Sequence, residues 1–445
     1  MTRRTFLAST AALAVAHADP KSEQAAILAR INAPAFPNRE FDITKYGAVA
    51  DGQKDCTEPI RKAIAASAAA GGGRVVVPKG DFFTCAIHLE SNVNLYISEG
   101  ATLRFSRDPH HYMPVVYTRW EGTDCMSFSP FIYAFEKTNI AVTGTGTLDG
   151  QADAEHWWPW KKGPVNQEAD RKALMAAGDK NVPVKDRVFG ESHYLRPYFV
   201  QPYRCTNVLI DGVQIVNSSM WEINPVLCQN VTVRNVRIDS HGPNNDGVDP
   251  ESCTDMLVEG CTFSTGDDCM AIKSGRNVDG RRVNVPTSNL IIRNGDMKDG
   301  HGGVSIGSEA SGGVRNVFVE NCRMSSPNLE RALRIKTNSY RGGAIENIYF
   351  QDVTVGQVAE SVTEIDFYYE EGEGGPFKPI VSNVVVSNVT CQKSKYGIYL
   401  RGYKNAPIRG LNMTDCTFNN AAKDNFLENV ESVSMTRVTV NGKSV

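Results

Sequence analysis

Short runs of alternating apolar and polar residues recur along most of this chain. Each run begins with Asn or Asp, continues with apolar residues at every second position and ends on a small apolar residue, as in Asn207–Val213, Asn316–Cys322 and Asn347–Val353. Such alternation is typical of a strand with one buried face. The clearest copies begin at Asn207, Asn230, Asp255, Asn289, Asn316, Asn347 and Asn383, and weaker copies surround Asn139, Leu411 and Ser432.

The spacing of these copies predicts the fold class. Successive starts are 23, 25, 34, 27, 31 and 36 residues apart, so a constant short core is separated by loops of variable length. This pattern indicates a solenoid, and no long helical pattern separates the strands, which argues against crossover helices. We predict an all-β fold, a single-stranded right-handed parallel β-helix whose coils stack about 4.8 Å apart. The Asn residues at the coil starts should then hydrogen-bond to one another in a ladder.

The N-terminal part predicts an export signal followed by a cap. Residues 1–18 contain Arg3-Arg4 before a short apolar run, which resembles a twin-arginine signal, with an ordinary secretory signal as the alternative. We expect export to the periplasm or beyond the cell. Residues 19–40 are expected to be a linker and residues 41–445 a single solenoid domain. Ala-rich residues 56–70 predict a helix that covers the open end of the solenoid.

Two further segments differ from the repeats. Residues 151–190 lack strand alternation and hold three tryptophans, so they predict an insertion beside a groove. Cys261 and Cys322 occupy the position that Val holds in other coils. We therefore expect the eleven cysteines to be mainly buried apolar thiols, although stacked cysteines would also be close enough for a disulfide.

Composition limits the partners. A formal net charge of -3 over 445 residues does not indicate nucleic-acid binding. No apolar run after the signal is long enough to span a bilayer. We expect a soluble monomer with no membrane partner.

Acidic and basic residues recur at matching places in successive repeats. Asp267 and His301 each lie twelve residues after a coil start, and Asp268 follows directly. Asp246 lies sixteen residues after its coil start, but an intervening turn could absorb the difference. We therefore expect these four side chains to meet on one face of three consecutive coils. Inverting glycoside hydrolysis needs one protonated carboxyl and one carboxylate roughly 6.5–9.5 Å apart, and crowding of like charges can keep one of several acids protonated.

A basic strand follows in the next coil. Arg334 and Lys336 flank Ile335, so both cations should point the same way while Ile335 is buried. Fixed positive charge of this kind suits the carboxylate of an acidic sugar. Taken singly, each of these motifs is common turn or surface chemistry; it is their shared register that predicts a site.

At these residues the chain resembles glycoside hydrolase family 28, the polygalacturonases. The four family motifs correspond to Asn244-Asn245-Asp246, Gly266-Asp267-Asp268, Gly300-His301-Gly302 and Arg334-Ile335-Lys336, with Asn245 in place of the usual Thr. The resemblance covers nearly the whole chain from about Phe41. It implies a pectin-lyase-like β-helix.

The resemblance also implies an activity, the inverting hydrolysis of α-1,4-linked galacturonosyl bonds in pectin or oligogalacturonides, without a metal or other cofactor. It implies that Asp267 is the general acid, that Asp246 and Asp268 activate the water, and that His301 tunes the acid. The substrate-binding residues would be Asn244, Arg334, Lys336 and, by a less certain alignment, Tyr369.

Other functions remain open from the sequence. A rhamnogalacturonan or xylogalacturonan hydrolase would use the same scaffold, and a pectate lyase would use calcium and a basic proton acceptor. A glycan-binding solenoid without catalysis is a different class. The insertion at 151–190 and the aromatic segment 112–135 could close one end of the groove, which favours exo action on chain ends.

Overall fold

Strands stack on three faces of a chain that winds in parallel coils. A computed structural model describes residues 19–445, so the predicted export signal at 1–18 lies outside the described residues and stays a prediction. Neighbouring coils pair in parallel along the repeats. The apolar side of each strand points inward, and these side chains form one continuous core along the solenoid. The predicted parallel β-helix is confirmed.

The strands are distributed over the three faces as follows. The first face contains Glu40–Asp42, Gly73–Val77, Val93–Ile97, Thr138–Gly144, Thr206–Asp211, Gln229–Arg234, Thr254–Glu259, Thr287–Arg293, Val314–Glu320, Ala344–Gln357, Ile380–Lys393, Leu411–Phe418 and Val433–Val440. The last four also extend onto the second face, whose other strands are Gly80–Thr84, Ala101–Phe105, Thr147–Asp149, Gln214–Val216, Arg237–Ser240, Thr262–Thr265, Asp296–Met297 and Arg323–Met324. The third face contains Ile87–His88, Ile132–Phe135, Val200–Tyr203, Met270–Ile272, Val304–Ile306, Arg331–Lys336, Ser361–Asp366, Tyr396–Arg401 and Phe426–Glu428.

Helices and additional strands lie outside the three stacked faces. The α-helices span Pro20–Arg30, Thr57–Ala69, Pro159–Lys162, Glu168–Asp179 and Asn277–Val283, and 3-10 turns span Ile43–Tyr46, Pro109–Tyr112, Val184–Asp186 and Gly372–Gly374. The remaining strands are Val116–Trp120, Thr123–Ser127, Val188–Phe189 and Lys443–Ser444. No helix between residues 19 and 445 combines the length and apolarity needed to cross a bilayer.

The coil-start residues form the predicted amide ladder. Asn347 Nδ2 donates to Asn316 Oδ1 at 2.9 Å, and Asn383 Nδ2 donates to Asn347 Oδ1 at 2.8 Å. All seven coil-start residues have φ between 52° and 59°, a left-handed conformation that Asn and Asp tolerate better than most residues. The recurrence of Asn therefore has two causes, the backbone conformation of the coil start and the amide that links each coil to the next.

The cysteines pack as apolar side chains. All eleven lie within residues 19–445, are buried and carry free thiols. Cys261 and Cys322 belong to the main core with the valines that hold the same position in other coils. Packing of thiols is thus confirmed over disulfide bonding.

The cap helix is confirmed, but the expected linker is wrong in its first half. Thr57–Ala69 covers the N-terminal end of the coils and buries Ile60, Ala63, Ile64 and Ser67. Within 19–40, Pro20–Arg30 is a helix that lies on the outside of the first face, where Ile27 packs on Ile291, Phe318 and Tyr349. The Arg30 guanidinium lies 2.9 Å from Asp255. Outward apolar residues on several coils explain why this segment is ordered.

The insertion at 151–190 folds beside the third face, as its sequence indicates. Its longer helix, Glu168–Asp179, packs against a hairpin formed by Val116–Trp120 and Thr123–Ser127. The hairpin turn is Glu121-Gly122. A Cβ at Gly122 would come within 2.6 Å of the backbone nitrogen of Arg276, so a side chain at this position would clash with the backbone. Insertion and hairpin together build a wall at one side of the coils.

The amide ladder predicts a stability difference that distinguishes its two causes. We expect Asn347→Ala to lower the free energy of unfolding by about 2–3 kcal/mol, because two hydrogen bonds are lost and alanine is strained at φ 58°. Asn347→Gly removes the same amide without the strain and should lower it by about half as much. Guanidinium unfolding followed by circular dichroism measures both. Unfolding midpoints equal to that of the unmodified protein would contradict the ladder's role.

Candidate active site

Backbone hydrogen bonds between coils bring the predicted acids together. The Asp267 N–H donates to the Asn245 carbonyl at 3.2 Å, and the His301 N–H donates to the Asp267 carbonyl at 3.0 Å. In the same register the Gly247 N–H donates to the Asp268 carbonyl at 2.9 Å. One carboxylate oxygen from each of Asp246, Asp267 and Asp268 lies within 4.8 Å of the others. The three acids and His301 therefore meet across three consecutive coils, as the sequence predicts.

The spacing of the acids differs from the sequence-based expectation. Between these oxygens the separation stays within 4.8 Å, which is shorter than the roughly 6.5–9.5 Å expected between the carboxyl groups of an inverting pair. The turn at residues 242–245 absorbs the extra residues and returns Asp246 to the register of the others.

Asn245 holds that turn, whereas Asn244 faces the site. Asn245 is fully buried, and its Oδ1 accepts hydrogen bonds from Ser240 Oγ and the Gly242 N–H at 2.8 and 2.7 Å. Asn244 accepts a hydrogen bond from Arg196 at 2.7 Å and lies 3.5 Å from Asp267. The departure from the family motif at Asn245 is therefore structural, and the amide of Asn244 is the one that reaches the acids.

Asp268 lies at the back of the site as a fixed anion. It is fully buried, and Lys336 Nζ and Ser305 Oγ donate to its two oxygens at 2.7 Å each. Burial alone would favour its neutral form, but Lys336 and then Arg334 hold the pKa of Asp268 well below its usual range. Gly302 is required here because a Cβ would lie 2.3 Å from Ser305 Oγ and 2.8 Å from Asp268 Oδ1.

Asp267 is the acid with the most access to the pocket. Its side chain is 16% exposed, compared with 0% for Asp268, and His301 Nδ1 lies 2.9 Å from its Oδ1. The hydrogen bond with Asp267 raises the pKa of His301. Burial opposes ionisation of Asp267, but the His301 hydrogen bond and the charges of His301 and Lys336 outweigh it, so the pKa of Asp267 is lowered. In the absence of substrate, Asp267 and His301 form an ion pair.

The pKa of Asp246 is shifted in the opposite direction. Burial raises the pKa of Asp246 well above its usual range, and the charges of Asp249 and Asp267 add to that shift. Asp249 is itself fully buried, and Lys273 Nζ lies 3.5 Å from it. The pKa of one acid is therefore raised, as expected from crowding, but that acid is Asp246, together with its neighbour Asp249, and not Asp267.

Arg334 and Lys336 point into the pocket together, and Ile335 is buried between them, as the alternation predicts. Their charges have different partners. Lys336 is bound to Asp268, whereas Arg334 lies 3.7 Å from both Asp268 and Glu364. Tyr369 completes this side, since the Arg334 and Lys336 cations lie 5.4 and 5.2 Å from the centre of its ring.

Several site residues were missed by the sequence analysis. Lys273 and Glu309 line the pocket, and their charged groups lie 3.3 Å apart. Trp221 also lines it, with Lys273 Nζ 4.3 Å from its ring. One signal was available, because Lys273 ends the strand after Asp268 in the same way that Lys336 ends the strand of the basic motif. Trp221 and Glu309 lie in irregular loops and carry no such signal.

The pocket has a volume of about 260 Å³, and segments outside the coils contribute to its lining. Lys161 and Arg171 come from the insertion, and Glu121 comes from the hairpin turn. Arg171 lies 2.7 Å from Glu121 and 3.4 Å from Glu370. These partly buried ion pairs connect the insertion and the hairpin to the coil that carries Tyr369. They hold the wall in place beside the pocket.

The three acids have the donor set and the proximity that a divalent cation requires. Their negative charge is already matched, however. Lys336 lies 2.7 Å from Asp268 and His301 lies 2.9 Å from Asp267, while the raised pKa of Asp246 favours its neutral form. This balance of charge fits proton transfer between carboxyl groups better than binding of a cation.

Comparisons with known proteins agree with this geometry. The model of the family described as glycosyl hydrolases family 28 matches residues 187–437. A probable polygalacturonase from Vitis vinifera is 26% identical over 396 residues, which cover 86% of this chain and 74% of the relative. The crystal structure of a hyperthermoactive exopolygalacturonase from Thermotoga maritima is similar with a TM-score of 0.93 and 45% identity, covering 96% of this chain and 97% of the other.

A family 28 exopolygalacturonase from Yersinia enterocolitica shares the fold with a TM-score of 0.73 and 20% identity, over 92% of this chain and 76% of the other. The match to the family model includes Asp246, Asp267, Asp268 and His301 together with the basic strand. This chain therefore belongs to the glycosyl hydrolases of family 28 and is a glycosidase built on a parallel β-helix.

Proposed function

We propose that this glycosidase hydrolyses the α-1,4 bonds of polygalacturonate with inversion, and that it removes residues from the non-reducing end. The observation that carries this proposal is the position of Arg334 beside the acid triad. Its guanidinium faces the pocket at 3.7 Å from the nearest carboxylates, so it retains capacity to bind a sugar carboxylate. The names of the similar proteins, polygalacturonase and exopolygalacturonase, support the same substrate.

We assign the general acid to Asp267. It reaches furthest into the pocket, and Asp268 is held behind it by Lys336. A bound sugar would strip water from Asp267, which raises the pKa of a carboxyl group. The proton can then pass to it from Asp246 through one intervening water, since their nearest oxygens lie within 4.8 Å of each other. This single shift leaves Asp267 protonated to act on the leaving oxygen and Asp246 ionised to activate the water.

Inversion follows from the charge state of the acids. Carboxyl groups this close are typical of a double displacement, in which one carboxylate attacks the sugar. Asp268 is the stable anion, but it is fully buried and both its oxygens are bound. Asp246 is ionised when the sugar is bound, but only 3% of it is exposed, so neither residue is a free nucleophile. Water held by these two carboxyl groups is the better attacking group, and its direct attack inverts the anomeric centre.

Exo action follows from the wall. The insertion contacts Ser218 on a coil before Asp246 and also Glu370 beside Tyr369. It therefore flanks the acids along several coils and narrows the groove in which a polymer would lie. This arrangement favours entry of a chain end over an internal segment.

We expect Asp267→Asn to lower kcat on polygalacturonate by about 10²–10⁴-fold, since an amide cannot supply the proton. The same variant should lose much less activity on p-nitrophenyl α-galacturonide, whose leaving group needs no proton. Initial rates on both substrates, with circular dichroism to check the fold, measure this. Full activity of the amide variant on the polymer would overturn the role of Asp267.

Asp246→Asn is the matched control for that experiment. It should lose activity on both substrates, because water must be activated whatever the leaving group is. The opposite pattern, with the aryl substrate rescuing Asp246→Asn but not Asp267→Asn, would exchange the two roles.

We expect a bell-shaped pH profile with its optimum at roughly pH 4–6. The raised pKa of Asp246 keeps the shared proton bound above the usual range of an aspartate, so activity falls as pH rises through that value. The lowered pKa values of Asp267 and Asp268 delay the binding of a second proton, so activity falls on the acid side only when two of the three acids are protonated at once. A rate that still rises above pH 8 would contradict this order of ionisation.

Lys336→Ala tests the acid limb of the profile. Loss of the ammonium group raises the pKa of Asp268, so the acid limb should move to higher pH while KM for polygalacturonate also rises. An unchanged acid limb would show that Lys336 does not control the ionisation of Asp268.

Trigalacturonate and polygalacturonate should both release the monomer as the first product, and proton NMR should detect the β-anomer first. The reaction should proceed in excess chelator and without the ultraviolet absorbance of an unsaturated product, which separates hydrolysis from lyase chemistry. Early release of mixed oligomers would indicate endo action. An α-anomer as first product would replace inversion by double displacement.

A further inference from the structure

Most cations that line the pocket already have acidic partners. Lys336 is bound to Asp268, Lys273 to Glu309, Arg171 to Glu121 and His301 to Asp267, in pairs between 2.7 and 3.3 Å apart. Lys161 also lines the pocket and is half-buried. Among residues 19–445, no carboxylate oxygen lies within 4.0 Å of its Nζ. The charge of Lys161 acts on Glu121, but Arg171 already contacts that carboxylate at 2.7 Å. Lys161 therefore retains the capacity to bind an anionic ligand.

Lys161 is carried on a firmly anchored turn. It lies in the short helix Pro159–Lys162, and Trp158 Nε1 before it donates to the Ser218 carbonyl at 2.9 Å. Trp160 stacks edge-on against Tyr194, with ring centres 5.2 Å apart. The Gln167 N–H donates to the Trp160 carbonyl at 2.7 Å. The backbone of Lys161 is thus fixed from both sides, so little conformational freedom would be lost on binding.

Lys161 and Arg334 lie on opposite sides of the acids along the axis of the coils. The turn that carries Lys161 rests on Ser218 and packs against Gly242, which belong to coils before Asp267. Arg334 belongs to a later coil, two positions along the third face from Met270–Ile272. A disaccharide unit spanning the acids therefore places one sugar towards Arg334 and the other towards Lys161.

We propose that Lys161 binds the carboxylate of the terminal galacturonate, the residue on the non-reducing side of the bond that is cleaved. This inference rests on the proposed function and deepens it. The pocket then recognises two successive carboxylates, one through Arg334 and one through Lys161. It discriminates against chain ends whose terminal residue is esterified or is a neutral sugar, because Lys161 would remain a partly desolvated cation without a partner.

Lys162 provides a matched control on the same helix. It carries the same charge one residue away but is exposed and does not line the pocket. Lys161→Gln and Lys162→Gln therefore remove the same charge from the protein and the same group from the helix. Only the first removes a cation from the pocket.

The test uses digalacturonate and its two monomethyl esters, one esterified on the non-reducing residue and the other on the reducing residue. We expect Lys161→Gln to lower kcat/KM about tenfold on digalacturonate and on the reducing-end ester, the loss of one hydrogen bond between charged groups. The loss should disappear on the non-reducing-end ester, which lacks the carboxylate in question. Lys162→Gln should match the unmodified protein on all three.

Equal rates for the two variants, or an equal loss for Lys161→Gln on both esters, would overturn the assignment. Binding of the three ligands by calorimetry, in an Asp267→Asn background, tests Lys161 without turnover and should give the same pattern in Kd. If the unmodified protein does not cleave digalacturonate, the proposed function fails. The calorimetric pattern then still decides whether Lys161 recognises that carboxylate.

Discussion

The register between neighbouring coils is the constraint on which the rest of this structure depends. Backbone hydrogen bonds and the amide ladder set each coil directly over the previous one, so residues at equivalent positions stack. A shift of one residue would turn inward side chains outward and separate Asp267 from His301. The left-handed conformation of the coil starts explains why Asn recurs there, and the same geometry makes the site possible.

Stacked carboxylates repel one another, and the surrounding residues offset this repulsion to a different degree at each acid. Asp268 is paired with Lys336 and Asp267 with His301, whereas burial and the charges of Asp249 and Asp267 raise the pKa of Asp246. Three identical side chains thus acquire pKa values shifted in different directions by their surroundings. Catalysis requires such a division of roles, since a proton donor and a proton acceptor must be present at the same time.

The sequence predicted the scaffold and the main site residues well, for a physical reason. Strand alternation and the recurrence of Asn are local properties repeated in many coils. A coil whose sequence departs from the repeat therefore does not obscure the pattern. The helix at Pro20–Arg30 was missed because its burial depends on outward apolar residues such as Ile291 and Phe318, which are distant in sequence. Trp221 and Glu309 were missed because their loops follow no repeat.

By itself, the sequence determined the parallel β-helix, the stacking of Asp246, Asp267, Asp268 and His301 on one face, and the direction of Arg334 and Lys336. These follow from residue spacing and alternation, which are properties of the chain. Only the tertiary structure decided which acid has a raised pKa, how close the acids lie and which distant segments line the pocket. Those properties depend on burial and on contacts between distant segments, such as Lys336 with Asp268 across 68 residues, and spacing within a repeat does not encode them.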